Sequence, residues 1–393
     1  MNYCFDEVID RTHTFARKWS KDVLLKEFNT DDVIPMWIAD MDFACPPPVV
    51  NALRKVADQR IYGYTYVPDV YYQAIIDWNK RRHHWTVKKD WITLTHGTVS
   101  TLHYIVQAFC QPGDKVLVQT PGYQPFQRAA EHHQCQLVTN PLVLKDGKYY
   151  LDFDDLEAKA KDPAVKLLIF CNPHNPAGRV WSKEELIKAA RICRDHDVLM
   201  VSDEIHKDIS LYGHKPISLA SISQEIAENC IVCVSPNKAF NFGGLKSSYT
   251  VIANDDIRLR LQEQLQINSI TSPNVFAVPA LVAAYTKCDD WLDQLNAYIE
   301  NNFDTIRKFL ADHLPKIQLI EPEATYLAWL DVRKFEITNH ELQERLINQG
   351  KVALEDGNDF IADGEGFIRM NLGCPKSVVE EALRRMAKCL KTL

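Results

Sequence analysis

No stretch of the 393 residues approaches the roughly 20 consecutive apolar residues of a membrane-spanning helix. Excess positive charge is missing too. With 45 Lys and Arg against 52 Asp and Glu, the formal net charge is -7, the wrong sign for a nucleic-acid partner. The first residues, Met-Asn-Tyr-Cys-Phe-Asp-Glu, lack the basic and apolar regions of a secretory signal, so a cytoplasmic location is expected. There is no HExxH, no Walker-type loop and no G-x-S-x-G, which removes the easiest hydrolase and nucleotide-binding readings. Nor is there an internal repeat or low-complexity tract. The 11 cysteines are odd in number and lie mostly inside apolar runs, as expected of reduced thiols. Cys230 and Cys233 have CxxC spacing, but inside a strand residues three apart face opposite sides, so no shared metal or disulfide is expected there. The pairs His83-His84 and His132-His133 read as surface, and no metal site is expected.

What is present is ordinary in bulk and informative in pattern. Hydrophobic residues make up 46% and charged residues 25%, as in a soluble globular protein long enough to bury a large core and divide in two. From about residue 90 to 250, apolar runs of strand length alternate with helical patterns. The expected strands are 91–94, 115–118, 136–139, 167–171, 199–202, 231–234 and 249–253. They are continuously apolar rather than alternating, which implies a sheet covered on both faces. Strand–helix alternation of this kind gives an α/β class with a mostly parallel seven-stranded sheet. Ser182 and Glu185 have capping-box spacing and open a helix running to about His196.

The last third has a different texture and predicts a smaller α+β unit. One or more long amphipathic helices cover 290–314, followed by short strands near 318–320 and 325–331. A helix at 339–349, a strand at 366–372 and a last helix follow. That helix carries Val379, Leu383, Met386 and Leu390 on one face, and Ser377 and Glu380 have the spacing of a capping box. The expected organisation is an N-terminal arm (1–45) packing with a small C-terminal domain (286–393), around a large domain at 46–285.

Ligands in open parallel sheets bind beyond the carboxyl ends of the strands. Three of the expected strands end in conspicuous polar residues. One runs into Asn172-Pro173-His174-Asn175-Pro176-Ala177-Gly178, the next into Asp203-Glu204-Ile205-His206, and the third into Ser235-Pro236-Asn237-Lys238. If those strands are neighbours, an asparagine, an acid and a lysine meet in one crevice. A lysine held partly desolvated beside a cleft becomes a usable nucleophile. Arg369, inside an apolar stretch, needs an anionic partner.

This set resembles the aspartate-aminotransferase-like, fold-type I family of pyridoxal-phosphate enzymes over nearly the whole chain, with six elements in the family's order. They are Thr95-His96-Gly97-Thr98-Val99, Pro121-Gly122-Tyr123, Asn172–Gly178, Asp203–His206, Ser235–Lys238 with Lys246, and Phe367–Asn371. The resemblance implies pyridoxal 5'-phosphate as cofactor, with Lys238 forming its Schiff base and then acting as the base at the substrate Cα. Asp203 would pair with the ring nitrogen, Asn175 with the ring oxygen, and Tyr123, the second implied catalytic residue, would stack on the ring. Gly97, Thr98 and Val99, opening a helix, would cradle the phosphate together with Ser235 and Lys246. Arg369 would grip the substrate carboxylate with its planar fork.

Residues 34–43 (Ile-Pro-Met-Trp-Ile-Ala-Asp-Met-Asp-Phe), the run Tyr62-Gly63-Tyr64-Thr65 and His206 narrow the likeness to the carbon–sulfur lyase branch, the cystathionine β-lyases of the MalY/PatB type. That branch implies α,β-elimination of a cysteine-type thioether to thiol, pyruvate and ammonia. It also implies a homodimer with shared sites in which Tyr64 reaches the partner's phosphate, His206 among the cofactor contacts, and the backbone at Trp37 and Ala39 beside the substrate carboxylate. Ser100, Gly122, Gln124, Ala177 and Gly243 depart from the branch's usual residues without removing any of these functional groups. An aminotransferase using the same residues is the alternative, and a regulatory surface for a transcription factor a second one.

Overall fold

The computed structural model describes residues 3–391. All seven expected strands form and join one sheet. Its spatial order is Ile92–Thr95, Ser248–Val251, Cys230–Val234, Leu199–Asp203, Val165–Cys171, Lys115–Thr120 and Gln136–Pro141. Ser248–Val251 runs antiparallel to both of its neighbours, and every other pairing is parallel. The continuous apolar runs have the cause expected of them. Leu102, Ile105, Phe126, Leu261 and Leu265, from the helices Thr98–Phe109, Gln124–Glu131 and Asp255–Ile267, bury one face of the sheet. The other face is buried by residues such as Ile75, Trp78, Leu186 and Leu281, from Asp69–His83, Lys183–Asp195 and Ala277–Lys287. Each such side chain, fully buried, contributes roughly 1.5–3 kcal/mol.

Cys230 packs with the second cluster and Cys233 with the first, so the two thiols do face opposite sides. All eleven cysteines are free. Ser182 caps its helix as expected, with Oγ accepting from the Glu185 N–H at 3.2 Å and Glu185 Oε2 accepting from the Ser182 N–H at 2.7 Å.

A second, antiparallel sheet is built from Gln318–Leu319, Leu327–Asp331, Phe367–Asn371 and Glu355–Asp356, in that order. The single helix Asp289–His313 spans the expected amphipathic stretch, and Lys376–Leu390 buries Val379, Leu383, Met386 and Leu390. The N-terminal segment reaches this region. Ile34–Pro35 pairs in parallel with Val352–Ala353. Pro47 and Pro48 occupy the first turn of the helix Pro47–Asp58, where a missing N–H leaves no bond unmade.

Two expectations fail. The last helix opens at Lys376 with Pro375 as its N-cap, so Ser377 and Glu380 already lie inside it and form no capping box. Pro375 prevails because its ring fixes φ, at -52°, and the helix opens two residues earlier than a Ser377 cap would place it. His83 is also no surface residue. Its side chain is 7% exposed and its Nε2 sits 2.7 Å from Asp208 Oδ1, which the main sheet's loops bring up beneath the end of the helix Asp69–His83. Among the described residues no helix is long and apolar enough to cross a membrane.

Candidate active site

Register decides the site. Cys171 lies opposite Asp203, and Asp203 opposite Cys233, so three neighbouring parallel strands end at one level. The ladder continues one step further. The Asn172 N–H donates to the Asp203 carbonyl and the Glu204 N–H to the Cys233 carbonyl, both at 2.9 Å. Asn175, Asp203, His206, Ser235 and Lys238 therefore gather at the sheet's carboxyl edge, all buried except half-buried Lys238.

The Lys238 amine donates to the carbonyl of Ala39, an acceptor that the Tyr326 hydroxyl shares at 2.9 Å. Burial, with help from the Arg369 charge, pushes this amine down to about 8. Asp203 moves the opposite way. Burial raises its carboxyl to about 7, and its one hydrogen bond is a 3.2 Å contact from the Ile205 N–H. A carboxylate so poorly supplied with donors is suited to a cationic N–H partner. His206 is held neutral by burial and by the nearby Lys238 charge, and its Nδ1 has no partner.

Arg369 is 2% exposed and already engaged. Its Nη1 donates to Asn175 Oδ1 at 3.0 Å, and its Nη2 to the Trp37 carbonyl at 3.1 Å and to the Glu355 carboxylate. Its Nε is buried without a partner, and the guanidinium lies 5.0 Å from the centre of the Phe360 ring. Tyr123 stands at the N-cap of the helix Gln124–Glu131, its hydroxyl raised by burial against the opposing pull of Arg369. Gly122 before it is required by space. A Cβ there would lie 2.5 Å from the Gln119 carbonyl, because the segment is pinned to Ile361 by a two-way backbone bridge.

A second cradle lies at the edge of the sheet. Gly97, at φ +88°, caps the helix Thr98–Phe109, whose first turn receives no side-chain acceptor. The N–H groups of Thr98 and Val99 thus open a helix with a free positive end, the usual anion site. A Cβ on Gly97 would meet Lys246 Cδ at 3.5 Å, so the exposed Lys246 side chain runs alongside. Ser235 Oγ donates to the Ser247 carbonyl at 2.7 Å and accepts from the Asn237 N–H at 3.1 Å. These groups suit a phosphate, and the buried Asp203 suits a protonated ring nitrogen, so the residues present fit pyridoxal 5'-phosphate.

Tyr64 is the one expected residue that this chain does not bring to the site. It is fully exposed, in a run with exposed Ile61, Tyr62 and Tyr66. Conversely, several residues that hold the site were not singled out in the sequence. Ser248 Oγ bridges Thr95 Oγ1 (2.7 Å) and the Gly97 N–H (2.6 Å). Asn371 Nδ2 donates to the carbonyls of Ile38 and Asp40 at 2.6 and 2.7 Å, and Asn241 Nδ2 to those of Met41 and Phe43. Glu355 and Tyr326 complete the set. Position in the Phe367–Asn371 motif was a signal for Asn371, but no sequence pattern marks the others.

Comparison with known proteins agrees with this geometry. The family model for aminotransferase class I and II matches residues 31–386. Cystathionine beta-lyase PatB of Bacillus subtilis is 43% identical over 386 residues, covering 98% of this chain and 99% of PatB. Protein MalY of Escherichia coli is 31% identical, covering 99% of each. The crystal structure of the PLP-bound C-S lyase from Staphylococcus hominis superposes with a TM-score of 0.92 at 36% identity, covering 99% of this chain and 98% of that one. The chain belongs to the aminotransferase class I and II family. Within it, the branch is that of PatB and MalY.

Proposed function

We propose that the protein is a pyridoxal-phosphate-dependent carbon–sulfur β-lyase that takes a cysteine-type thioether and water to a thiol, pyruvate and ammonia. The observation that carries this reading is the meeting of a desolvated lysine amine and a buried carboxyl at the carboxyl edge of the main sheet with a buried arginine that reaches Asn175 from the second sheet, in a chain 43% identical to a cystathionine beta-lyase. The cofactor, when bound, supplies an aldehyde for amine attachment and an electron-withdrawing ring for the carbanion.

The chain's own residues do the rest. Lys238 is the attachment point and, once released, takes the proton from the substrate Cα, a role its amine near 8 can serve at neutral pH. Asp203 holds the ring nitrogen protonated by offering it a buried anion. Asn175 meets the ring oxygen and Tyr123 the ring face. His206, Ser235, Lys246 and the N–H groups of Gly97, Thr98 and Val99 complete the grip on the cofactor. Arg369 orients the substrate carboxylate, with the Trp37 and Ala39 backbone beside it. Proton removal and expulsion of sulfur then occur on a substrate fixed at its carboxylate.

Further parts of the reading are a cytoplasmic homodimer with shared sites, in which Tyr64 serves the partner's phosphate, and an arm, large domain and small domain at 1–45, 46–285 and 286–393. Incubating purified holoenzyme with cystathionine, with and without a keto acid, tests the reaction. Pyruvate and thiol without an acceptor is the expected result, and strict dependence on the keto acid would assign an aminotransferase instead.

A further inference from the structure

The carboxylate-gripping arginine already has a carboxylate. Glu355 lies directly opposite Arg369 across the short antiparallel pair of Glu355–Asp356 with Phe367–Asn371, and the two side chains form an ion pair. Cross-strand partners at this spacing share one face of the sheet. The Glu355 side chain keeps 23% of its surface exposed while Arg369 keeps 2%, so the acid lies on the solvent side of the pair and the arginine beneath it. Burial raises the Glu355 carboxyl and the nearby Asp359 adds to this, while Arg369 and, less, Lys238, which the reaction engages, favour its charged form.

A substrate carboxylate arriving at Arg369 therefore brings a second anion to one guanidinium. Like charges a few ångströms apart in a partly dry site are unfavourable. The α-ammonium of the substrate cannot balance them, because that nitrogen becomes joined to the cofactor. The arm beyond the sulfur is the remaining part of the substrate that can supply a positive charge there.

We propose that Glu355 is a specificity-determining residue, favouring thioether amino acids whose departing arm carries an ammonium over those whose arm is neutral. The proposal rests on the lyase reading above and names the substrate class for that same site. Displaced from Arg369 by the α-carboxylate, Glu355 turns to the distal ammonium, and the charge lost on one side is regained on the other. With a neutral arm it stays partly buried without a cation.

The test is a matched pair of substrates for the holoenzyme, S-(2-aminoethyl)-L-cysteine and S-propyl-L-cysteine, which differ at one terminal group. A charge-assisted hydrogen bond corresponds to roughly a tenfold to hundredfold preference in kcat/KM for the aminoethyl substrate, held mainly in KM. Glu355→Gln should bring that ratio close to one, chiefly by losing the charged substrate, and Glu355→Asp should keep the preference. A native ratio near one overturns the assignment, even if the Gln variant fails to fold. An undiminished ratio in a folded, cofactor-loaded Gln variant does the same. No pyruvate from either substrate with the native enzyme is a different failure, that of the lyase reading, and takes this assignment with it.

Discussion

Removing the charge at position 203 should make the cofactor-free protein more stable while it disables the enzyme. Asp203 is 4% exposed and its carboxyl is raised from 3.8 to about 7, first by burial. A folded-state value above the unfolded one means that the folded chain binds the extra proton. Stability therefore falls as pH rises from about 4 to about 7 and is flat above. The gap of roughly 3 pH units corresponds to about 4 kcal/mol, at 1.36 kcal/mol per unit, against the cofactor-free fold at pH 8. Asp203→Asn keeps the shape, can still accept from the Ile205 N–H, and carries no charge to desolvate.

Urea denaturation of cofactor-free Asp203→Asn and parent proteins, at one protein concentration, reads this group together with its coupling to Glu204 and Lys238, because titrations that do not feel Asp203 cancel in the difference. The variant's advantage should grow by about 2 kcal/mol between pH 5 and pH 7 and level off by about pH 8. With cofactor bound the order reverses, since the parent carboxylate gains a cationic partner and the amide does not. Activity of the variant should fall at least about a hundredfold, the scale for a lost electrostatic stabiliser. A stability difference that does not change with pH, or a variant that turns over normally, would refute the reasoning.

Borohydride reduction of the holoenzyme followed by peptide mapping should place the cofactor on Lys238, and Lys238→Ala should carry no tag. Cofactor attachment to the cofactor-free parent should accelerate as pH rises through about 8, where burial leaves the amine unprotonated; a pH-independent rate would count against that amine. Gly122→Val should lower the unfolding free energy read from urea denaturation by roughly 1–3 kcal/mol, because its Cβ would press on the Gln119 carbonyl at 2.5 Å; unchanged stability would show that the Gly122–Ile361 bridge yields easily. Lys238→Ala and Tyr64→Ala proteins, each inactive alone, should recover activity when refolded together, since a mixed dimer holds one site with both native residues. No recovery would mean that Tyr64 acts within its own chain or not at all.

The strands were legible because both faces of the sheet are buried, which leaves unbroken runs such as Leu167–Cys171 that no half-exposed strand would tolerate. Asn175, Asp203 and Lys238 were legible because strand ends are where polar residues interrupt such runs. The errors have a common origin in contacts distant along the chain or in competition over one turn. His83 looks like a surface residue among Arg81, Arg82 and His84, and only Asp208, 125 residues away, makes it an interior one. Ser377 has the right spacing for a cap, but Pro375 had already ended the preceding loop.

What the sequence could not show is how the site's walls are held, because that work is done on backbone atoms. The segment from Trp37 to Phe43 offers carbonyls to Arg369, Lys238, Tyr326, Asn371 and Asn241, from three separate parts of the chain. Any residue presents a carbonyl, so the pattern of side chains there carries no trace of those bonds. Of these donors Lys238 and Arg369 stand out in the sequence, whereas Tyr326, buried Asn371 and half-buried Asn241 are legible only in retrospect. Glu355 belongs to the same class. It sits in a strand of two residues, too short for an alternating pattern, and it meets Arg369 through register alone. Asn175, Asp203 and Lys238 announce themselves at strand ends, whereas the meeting of Glu355 with Arg369 is set by a pairing which only the folded chain displays.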